Sequence, residues 1–523
     1  MMILKDWKDE GTSFGLIYPN QFSIMQSSYT IRFLYNFINS FDNVFCDRIH
    51  LPKKVKFPAI EDIKTMNCVK GLETGFFPHQ FDILGFSIQF ENDFRNILWI
   101  LEKANIPLVN TTRMNLKEGK KYKYPLIIAG GPVVTSNPLP FSKIFDIMFV
   151  GDAEPNLGIF LSLYDKYKKD KSELIEFLTK CSEIEGLYVP ILKNKVKRAI
   201  LENLDESKIP DNQFIQQVSN KEEIFGSNFF IEVSRGCPYK CKFCISSFHN
   251  RPFRNRSYEN ISSCIEKSLK KAKFEKFSLI GSCVSSHPKF HEICETIISK
   301  GKDFSVPSMR LDHITPRLIN LFERGGIKTI TIAPEAGTER LRKSIGKNFS
   351  NKLLYQIIDQ VKKSKIKNIK FYFLIGLPGE TDADVREIIV LLKKIDKIGF
   401  QKHSLKVNVN PFIPKFNTPY EMQCTNYLRK NLPLLKEKFK ILEKGLKDIP
   451  SIKLKFKNFN MLIKQAQLQT LISLGDEKIS DLLINYYENG ANMGSLRRAE
   501  KESGISIDDY LIKVSLGYKP WLI

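Results

Sequence analysis

Most of this chain alternates short apolar runs with stretches of helical periodicity, and few folds accept that alternation over so long a span. Phe14–Tyr18, Phe81–Ile88, Pro125–Ala129 and Ile144–Val150 read as strands, with amphipathic helices over Ser28–Asn39 and Asn92–Asn105 between them. Strands joined through helices run parallel, so this first part predicts an open, mostly parallel sheet with helices on both faces. A second series has strands near Phe229–Ser234, Phe274–Ile280, Phe304–Val306, Lys328–Ile332, Lys370–Ile375 and Ser404–Val409. Helices separate them near Tyr258–Ala272, Pro288–Lys300, Thr315–Arg324, Asn351–Ser364 and Ala383–Ile398. Six strands with five intervening helices predict a partial barrel or a second open sheet. From about Ile452 the pattern turns mainly helical, over Ile463–Leu474, Lys478–Glu488 and Ser495–Glu502. The expected class is α/β: an open parallel sheet in residues 1–185, a linker over 186–225, a partial (β/α)6 core over 226–450 and a small helical cap over 451–523.

Composition narrows the setting. Hydrophobic residues are 42% and charged residues 26% of the 523, ordinary globular values that exclude a disordered or fibrous chain. No run of 18 apolar residues occurs, and Lys5, Asp6 and Lys8 interrupt the start, so neither a membrane span nor a secretion signal is expected. Ten cysteines are too few and too scattered for a disulfide scaffold, which points to a reducing cytoplasm. The net charge of +23 would attract a polyanion such as RNA, yet the lysines spread over most predicted helices, as a biased genome would also produce.

Three cysteines crowd into Cys237-Pro-Tyr-Lys-Cys241-Lys-Phe-Cys244, directly after the first strand of the second series. Soft thiolates on one loop select zinc or an iron–sulfur cluster. Zinc needs a fourth ligand, which His249 could supply, whereas a cubane on three cysteines keeps one iron open for a non-protein ligand. The other seven, Cys46, Cys68, Cys181, Cys264, Cys283, Cys294 and Cys424, stand alone, and buried packing is their expected role. In the first segment small residues mark the strand ends: Gly85 and Ser87, Gly130 and Gly131, and Gly151. Ligands of open α/β sheets sit there, so these ends predict a binding crevice.

The Cys-x3-Cys-x2-Cys loop resembles that of the radical S-adenosylmethionine (SAM) superfamily, and four further segments match in the family's order. They are Ser308-Met-Arg310, TIAPEAGTERL over 331–341, KFYFLIGLPGE over 370–380 and NVNPFIPKFNTPY over 408–420. The resemblance implies a [4Fe-4S] cluster on Cys237, Cys241 and Cys244, with SAM on the open iron. It also implies a SAM site drawn from Phe243, Gly281, Ser282, Arg310, Glu335 (on the ribose), Ile375, Gly376 and Pro378 (on the adenine). The family often places a Gly-Glu pair for the SAM amino group after the second strand; here Gly281, Ser282 and Cys283 stand instead. A reductant such as ferredoxin or flavodoxin would supply the electron.

The first segment resembles the Rossmann-like, cobalamin (B12)-binding-like domain that precedes the radical core in a large class of these enzymes. FGLIYPN at 14–20, FDILGFSIQFEND at 81–93, PLIIAGGPVVTSNP at 125–138 and FVGDAEP at 149–155 carry this resemblance. It makes Ser87, Gly130, Gly131 and Gly151 candidate cobalamin contacts. The Asp-x-His-x-x-Gly loop that supplies a histidine to cobalt is missing, and Asp47-Arg-Ile-His50 is not that motif. The expected function is radical SAM chemistry, with cobalamin-assisted methyl transfer to an unactivated carbon as one outcome. Alternatives are radical SAM modification of tRNA or other RNA, an auxiliary cluster on Cys46, Cys68 and Cys181 as in methylthiotransferases, and a non-catalytic metal-stabilised RNA-binding protein.

Overall fold

The computed structural model describes residues 5, 11–53, 69–114, 124–170, 173–213, 227–455, 458–492 and 494–521. Its first sheet contains β1 (Thr12–Gln21), β2 (Val44–Leu51), β3 (Ile83–Ser87), β4 (Leu126–Gly130), β5 (Ile147–Phe149) and β6 (Leu187–Tyr188), in the order β2-β1-β3-β4-β5-β6. The first five are parallel, and β6 runs antiparallel to β5. Helix Tyr29–Asn39 starts where the Ser28 hydroxyl accepts from the Ile31 N–H, and it covers one face; Phe94–Lys103 buries Ile97, Leu98 and Leu101 against the other. β2 is absent from the apolar pattern because its interior holds Asp47 and Arg48. Both are buried and satisfied: Asp47 accepts from the backbone of Glu73 and Thr74, and Arg48 pairs with Glu73 at 2.6 Å.

The stretch expected as a linker is packed as far as Gln213: its first part lies against this sheet, and the Gln213 side chain exchanges hydrogen bonds with the Phe230 backbone of the second series. Ala199 bridges Gly151, and the Leu201 N–H bonds Asp152 at 2.9 Å. Its remainder, 214–225, lies outside the described residues, as does Cys68.

The second series begins with β7 (Asn228–Glu232), followed by the two-residue antiparallel pair β8 (Ser234–Arg235) and β9 (Arg254–Asn255). Then come β10 (Lys276–Ile280), β11 (Asp303–Ser305), β12 (Thr329–Glu335), β13 (Asn368–Ile375), β14 (Leu405–Pro411) and β15 (Ile452–Lys455). They form two parallel pieces, β11-β10-β7 and β12-β13-β14-β15, seamed by the parallel bridge Met309–Ile332. Each new strand thus adds on one side, as in a barrel that stays open among the described residues. β15 departs from the expected start of the helical cap. Ile452-Lys-Leu-Lys455 is short and half lysine, so its alternation carries little signal, and helix Leu432–Leu446, also absent from the sequence reading, carries the chain to it.

Beyond it, the helices of the last segment lock the two sheets together. Asn137 donates to the Gly475 carbonyl at 2.8 Å, Ser480 to the Pro140 carbonyl at 2.8 Å, and Lys143 pairs with Asp481. Lys415 from the core and Gln469 from the cap both bind Glu91 of the first sheet. Among the described residues no helix is long and apolar enough to cross a membrane.

Candidate active site at the facing sheet ends

The chain leaves β7 through Val233 and β8 and enters the cysteine loop. Cys241 is buried, while Cys237 and Cys244 are half-buried. The loop is pinned from the side: Lys242 N–H donates to the Ile345 carbonyl at 3.0 Å, and the Cys244 N–H to the Cys241 carbonyl at 3.0 Å. Burial raises the Cys241 thiol above its ordinary pKa, against the pull of Lys347 and Arg310 nearby. Among the described residues, no three His, Cys, Asp or Glu side chains converge as ligands of one metal ion. A cubane asks for something else, since its cysteines grip three different irons. His249 does not complete a zinc site. Its Nε2 lies 2.7 Å from the Phe416 carbonyl, which can only accept, so Nε2 carries the proton. Burial lowers its pKa to about 4 and leaves Nδ1 as a bare lone pair without a partner. That tautomer is the one a metal ligand would use, so what speaks against a closed Cys3His zinc site is that His249 does not converge with the cysteines among the described residues.

The four other matching segments converge on this loop. Phe243 packs against a small apolar cluster of Ala336, Leu341, Ile345, Leu377 and Phe412, which joins the 331–341, 370–380 and 408–420 segments to it. Glu335 ends β12, is 8% exposed, and sits at φ +67°, a strained conformation for this residue. Its Oε1 is 2.8 Å from Lys347 Nζ, which also donates to the Ala333 carbonyl at 2.8 Å. Lys347 escaped the sequence reading because a lone lysine in a lysine-rich chain carries no signal. Arg310 pairs with Asp312 at 2.7 Å and stands with its guanidinium carbon 3.6 Å over the Tyr239 ring of the cysteine loop. After Ile375, the Gly376 N–H donates to both oxygens of Glu380 at 3.0 and 3.1 Å, and Lys438 pairs with Glu380 at 2.8 Å. This closes the turn that carries Pro378.

Cys283 is buried, as expected of a lone cysteine, and its sulfur accepts from Ser286 Oγ at 3.2 Å with Ser285 Oγ at 3.8 Å. The other lone cysteines among the described residues are buried. Cys46 and Cys181 pack in one apolar cluster of the first sheet, as expected.

Ser87, Gly130, Gly131 and Gly151 line a single cavity of about 340 Å³ at the carboxyl ends of the first sheet. Its far wall is the exit of β7: Glu232, Arg235, His249 and Arg254. Tyr29, whose hydroxyl is buried without a partner, lines it too. Arg235 bonds Asp152, Glu154 and Glu232 at 2.9, 2.9 and 2.8 Å, so one guanidinium ties the first sheet to the strand that leads into Cys237. Arg235→Met would leave three largely buried carboxylates around an empty place and should cost about 3–5 kcal/mol in a urea titration at pH 7. Against the desolvation of burial, Arg235 holds the Asp152 carboxyl below its ordinary pKa, so the loss should shrink as the pH falls and Asp152 protonates.

A family model described as radical SAM proteins, N-terminal, matches residues 30–190, and one described as radical SAM superfamily matches residues 231–392. The chain belongs to the radical SAM superfamily. The uncharacterized protein MJ0966 of Methanocaldococcus jannaschii is 31% identical to this radical SAM enzyme over 432 residues, covering 82% of this chain and 85% of the relative. In fold it resembles the radical SAM methyltransferase TsrM from Kitasatospora setae, solved with cobalamin and a [4Fe-4S] cluster bound, at TM-score 0.55 and 13% identity over 80% of this chain and 75% of the other. The cobalamin-dependent radical enzyme OxsB, solved with aqua-cobalamin, aligns at TM-score 0.54 and 15% identity over 97% and 72%.

Proposed function

We propose that this radical SAM enzyme holds a [4Fe-4S] cluster on Cys237, Cys241 and Cys244, binds SAM beside it, and carries cobalamin in the cavity between the sheets for methyl transfer to an unactivated carbon. The observation that carries this reading is the shared cavity: the candidate cobalamin positions of the first sheet face Arg235, two residues before the first cluster cysteine. It is supported by the cobalamin and cluster in TsrM, a fold neighbour.

Cluster and SAM together would supply a one-electron cleavage giving methionine and a 5′-deoxyadenosyl radical. The chain's own residues bind and orient. Glu335, paired with Lys347, would accept from the ribose hydroxyls; Ile375, Gly376 and Pro378 would pack the adenine beside Phe243. Arg310 would face the carboxylate, and Gly281 and Ser282 the amino group. The packed cap and the cavity walls limit water near the radical. Cobalamin is larger than 340 Å³, so part of it would lie at the open mouth, with no histidine from an Asp-x-His-x-x-Gly loop on its cobalt. An external donor such as ferredoxin or flavodoxin would reduce the cluster in a reducing cytoplasm. The +23 charge favours an anionic substrate, RNA among them. Membership in an enzyme superfamily leaves a non-catalytic RNA-binding role without support.

Glycines separate blocking from breaking. A Cβ at Gly131, at φ +107°, would stand 2.6 Å from the Ile88 carbonyl oxygen, so a bulky residue there damages the turn before it fills the cavity; at Gly130 the nearest atom is Phe149 Cβ at an ordinary 3.6 Å. Gly130→Leu should therefore abolish hydroxocobalamin binding while leaving the melting temperature unchanged. Gly131→Ala should cost about 1–3 kcal/mol. If the intact protein binds no corrinoid, the cavity is not a cobalamin site.

A further inference from the structure

We infer that a second cavity, where the cap meets the first sheet, is a binding site for a nucleotide, taken up free or as one unit of a single-stranded RNA. The cavity measures about 790 Å³ and shares no lining residue with the one between the sheets, so the inference stands apart from the cluster and cobalamin assignments.

One wall is aromatic. Trp521, 7% exposed, meets Tyr188 of β6 edge to face with ring centroids 5.6 Å apart, and Leu139 and Pro520 continue the apolar surface. The Trp521 Nε1–H is buried and has no acceptor, whereas the hydroxyl of Tyr518, on the same cavity, donates to Asp476 at 2.8 Å. A buried donor without an acceptor is rare because it has given up its hydration for nothing, and an acceptor carried in by a ligand would restore the bond.

The rim is cationic. Lys193, Lys195, Lys478 and Lys519 line the cavity against two acids, Asp476 and Glu477. Lys193 pairs with Glu477 at 2.7 Å and Lys519 with Glu421 at 2.9 Å, while the exposed Lys195 and Lys478 make no ion pair among the described residues. The turn that carries Lys193 and Lys195 is braced by Asn194 between them. Asn194 accepts from the Val189 N–H at 2.8 Å and donates to the Ser182 and Leu187 carbonyls at 3.1 and 2.9 Å, and Lys193 is held at φ +50°. Strained backbone fixed by its surroundings is a common feature of ligand clamps.

These features select the ligand class together. An inorganic anion would use the lysines and leave the indole without an acceptor; an uncharged aromatic would leave the lysines unused. A nucleotide uses both: a base carbonyl or ring nitrogen accepts from Trp521, the base plane lies on the apolar wall, and the phosphate meets Lys195 and Lys478. The volume suits it, since small-molecule sites run to roughly 300–1,000 Å³.

The test uses the full chain with AMP and UMP in calorimetry and a single-stranded RNA of about twelve nucleotides in fluorescence anisotropy. At least one probe should bind. Uptake of a mononucleotide identifies a free nucleotide as the source, and uptake of the RNA alone identifies a strand. Trp521→Phe, which keeps the packing ring and loses the N–H, should weaken binding about 2- to 10-fold. Lys195→Glu combined with Lys478→Glu should weaken it about tenfold or more, with the larger effect at low salt. Inorganic pyrophosphate should compete poorly, since it has no base to offer the indole. Absence of binding by every probe, affinities unchanged in both variants, or pyrophosphate competing as well as the nucleotide would overturn the inference. Should Trp521→Phe fail to fold, the exposed lysine pair and the pyrophosphate competition decide it.

Discussion

Anaerobically reconstituted Cys241→Ala protein is expected to fall from about four irons per chain to less than one. The effect is large because each cysteine holds a different iron, so the two remaining thiolates cannot replace the missing corner. Cys241 is also the most enclosed of the three loop cysteines, and its neighbours Lys347 and Arg310 are cations that favour a thiolate there. The chain itself should stay folded, since the loop is pinned by Lys242 on Ile345 and packed through Phe243. Cys294→Ala supplies the control. Cys294 is fully buried in helix Phe290–Ser299, away from the loop in sequence and in the apolar core, so its loss should lower stability and leave iron content unchanged. Iron and sulfide analysis on both variants checks the pair.

SAM affinity should drop roughly 10- to 150-fold in Glu335→Ala, the loss expected for about 1.5–3 kcal/mol from hydrogen bonds to a charged acceptor. The Glu335–Lys347 pair complicates this, because the same variant strands a lysine that is 15% exposed. The backbone separates the two effects. Glu335 is held at φ +67°, a region that glycine adopts freely and other residues enter at a cost of about 1–3 kcal/mol. Glu335→Gly relieves that strain and should be more stable than Glu335→Ala, yet both lack the carboxylate and should lose SAM affinity equally. If Glu335 only braces its loop, SAM affinity will follow stability, with glycine the better binder. Equilibrium binding and thermal unfolding on the same reconstituted samples distinguish these outcomes.

How much of this was legible in the sequence depended on whether a residue acts through pattern or through a single contact. The parallel strands followed from apolar runs, and the segments that meet around Phe243 from their resemblance to one family. β2 was hidden because Asp47 and Arg48 interrupt its apolar run, and their partners at Glu73 and Thr74 lie more than 20 residues away. β15 was hidden by lysines on a short strand. The glycines at the first sheet's ends were read as room for a ligand; they do line the cavity, but Gly131 and Gly151 are required first by close backbone, Ile88 and Ala199. Lys347 takes its importance from Glu335 and Arg235 from Asp152 and Glu154, partners that no spacing rule reports.

The central claim is that three cysteines hold a cluster with a position left for SAM. Electron paramagnetic resonance of the reduced, reconstituted protein, recorded without and with SAM, tests it most directly. The account predicts a signal of a reduced [4Fe-4S] cluster whose g values shift when SAM is added, in protein that holds about four irons. A protein that binds stoichiometric zinc and no iron, or a cluster signal that saturating SAM leaves unchanged, would contradict it.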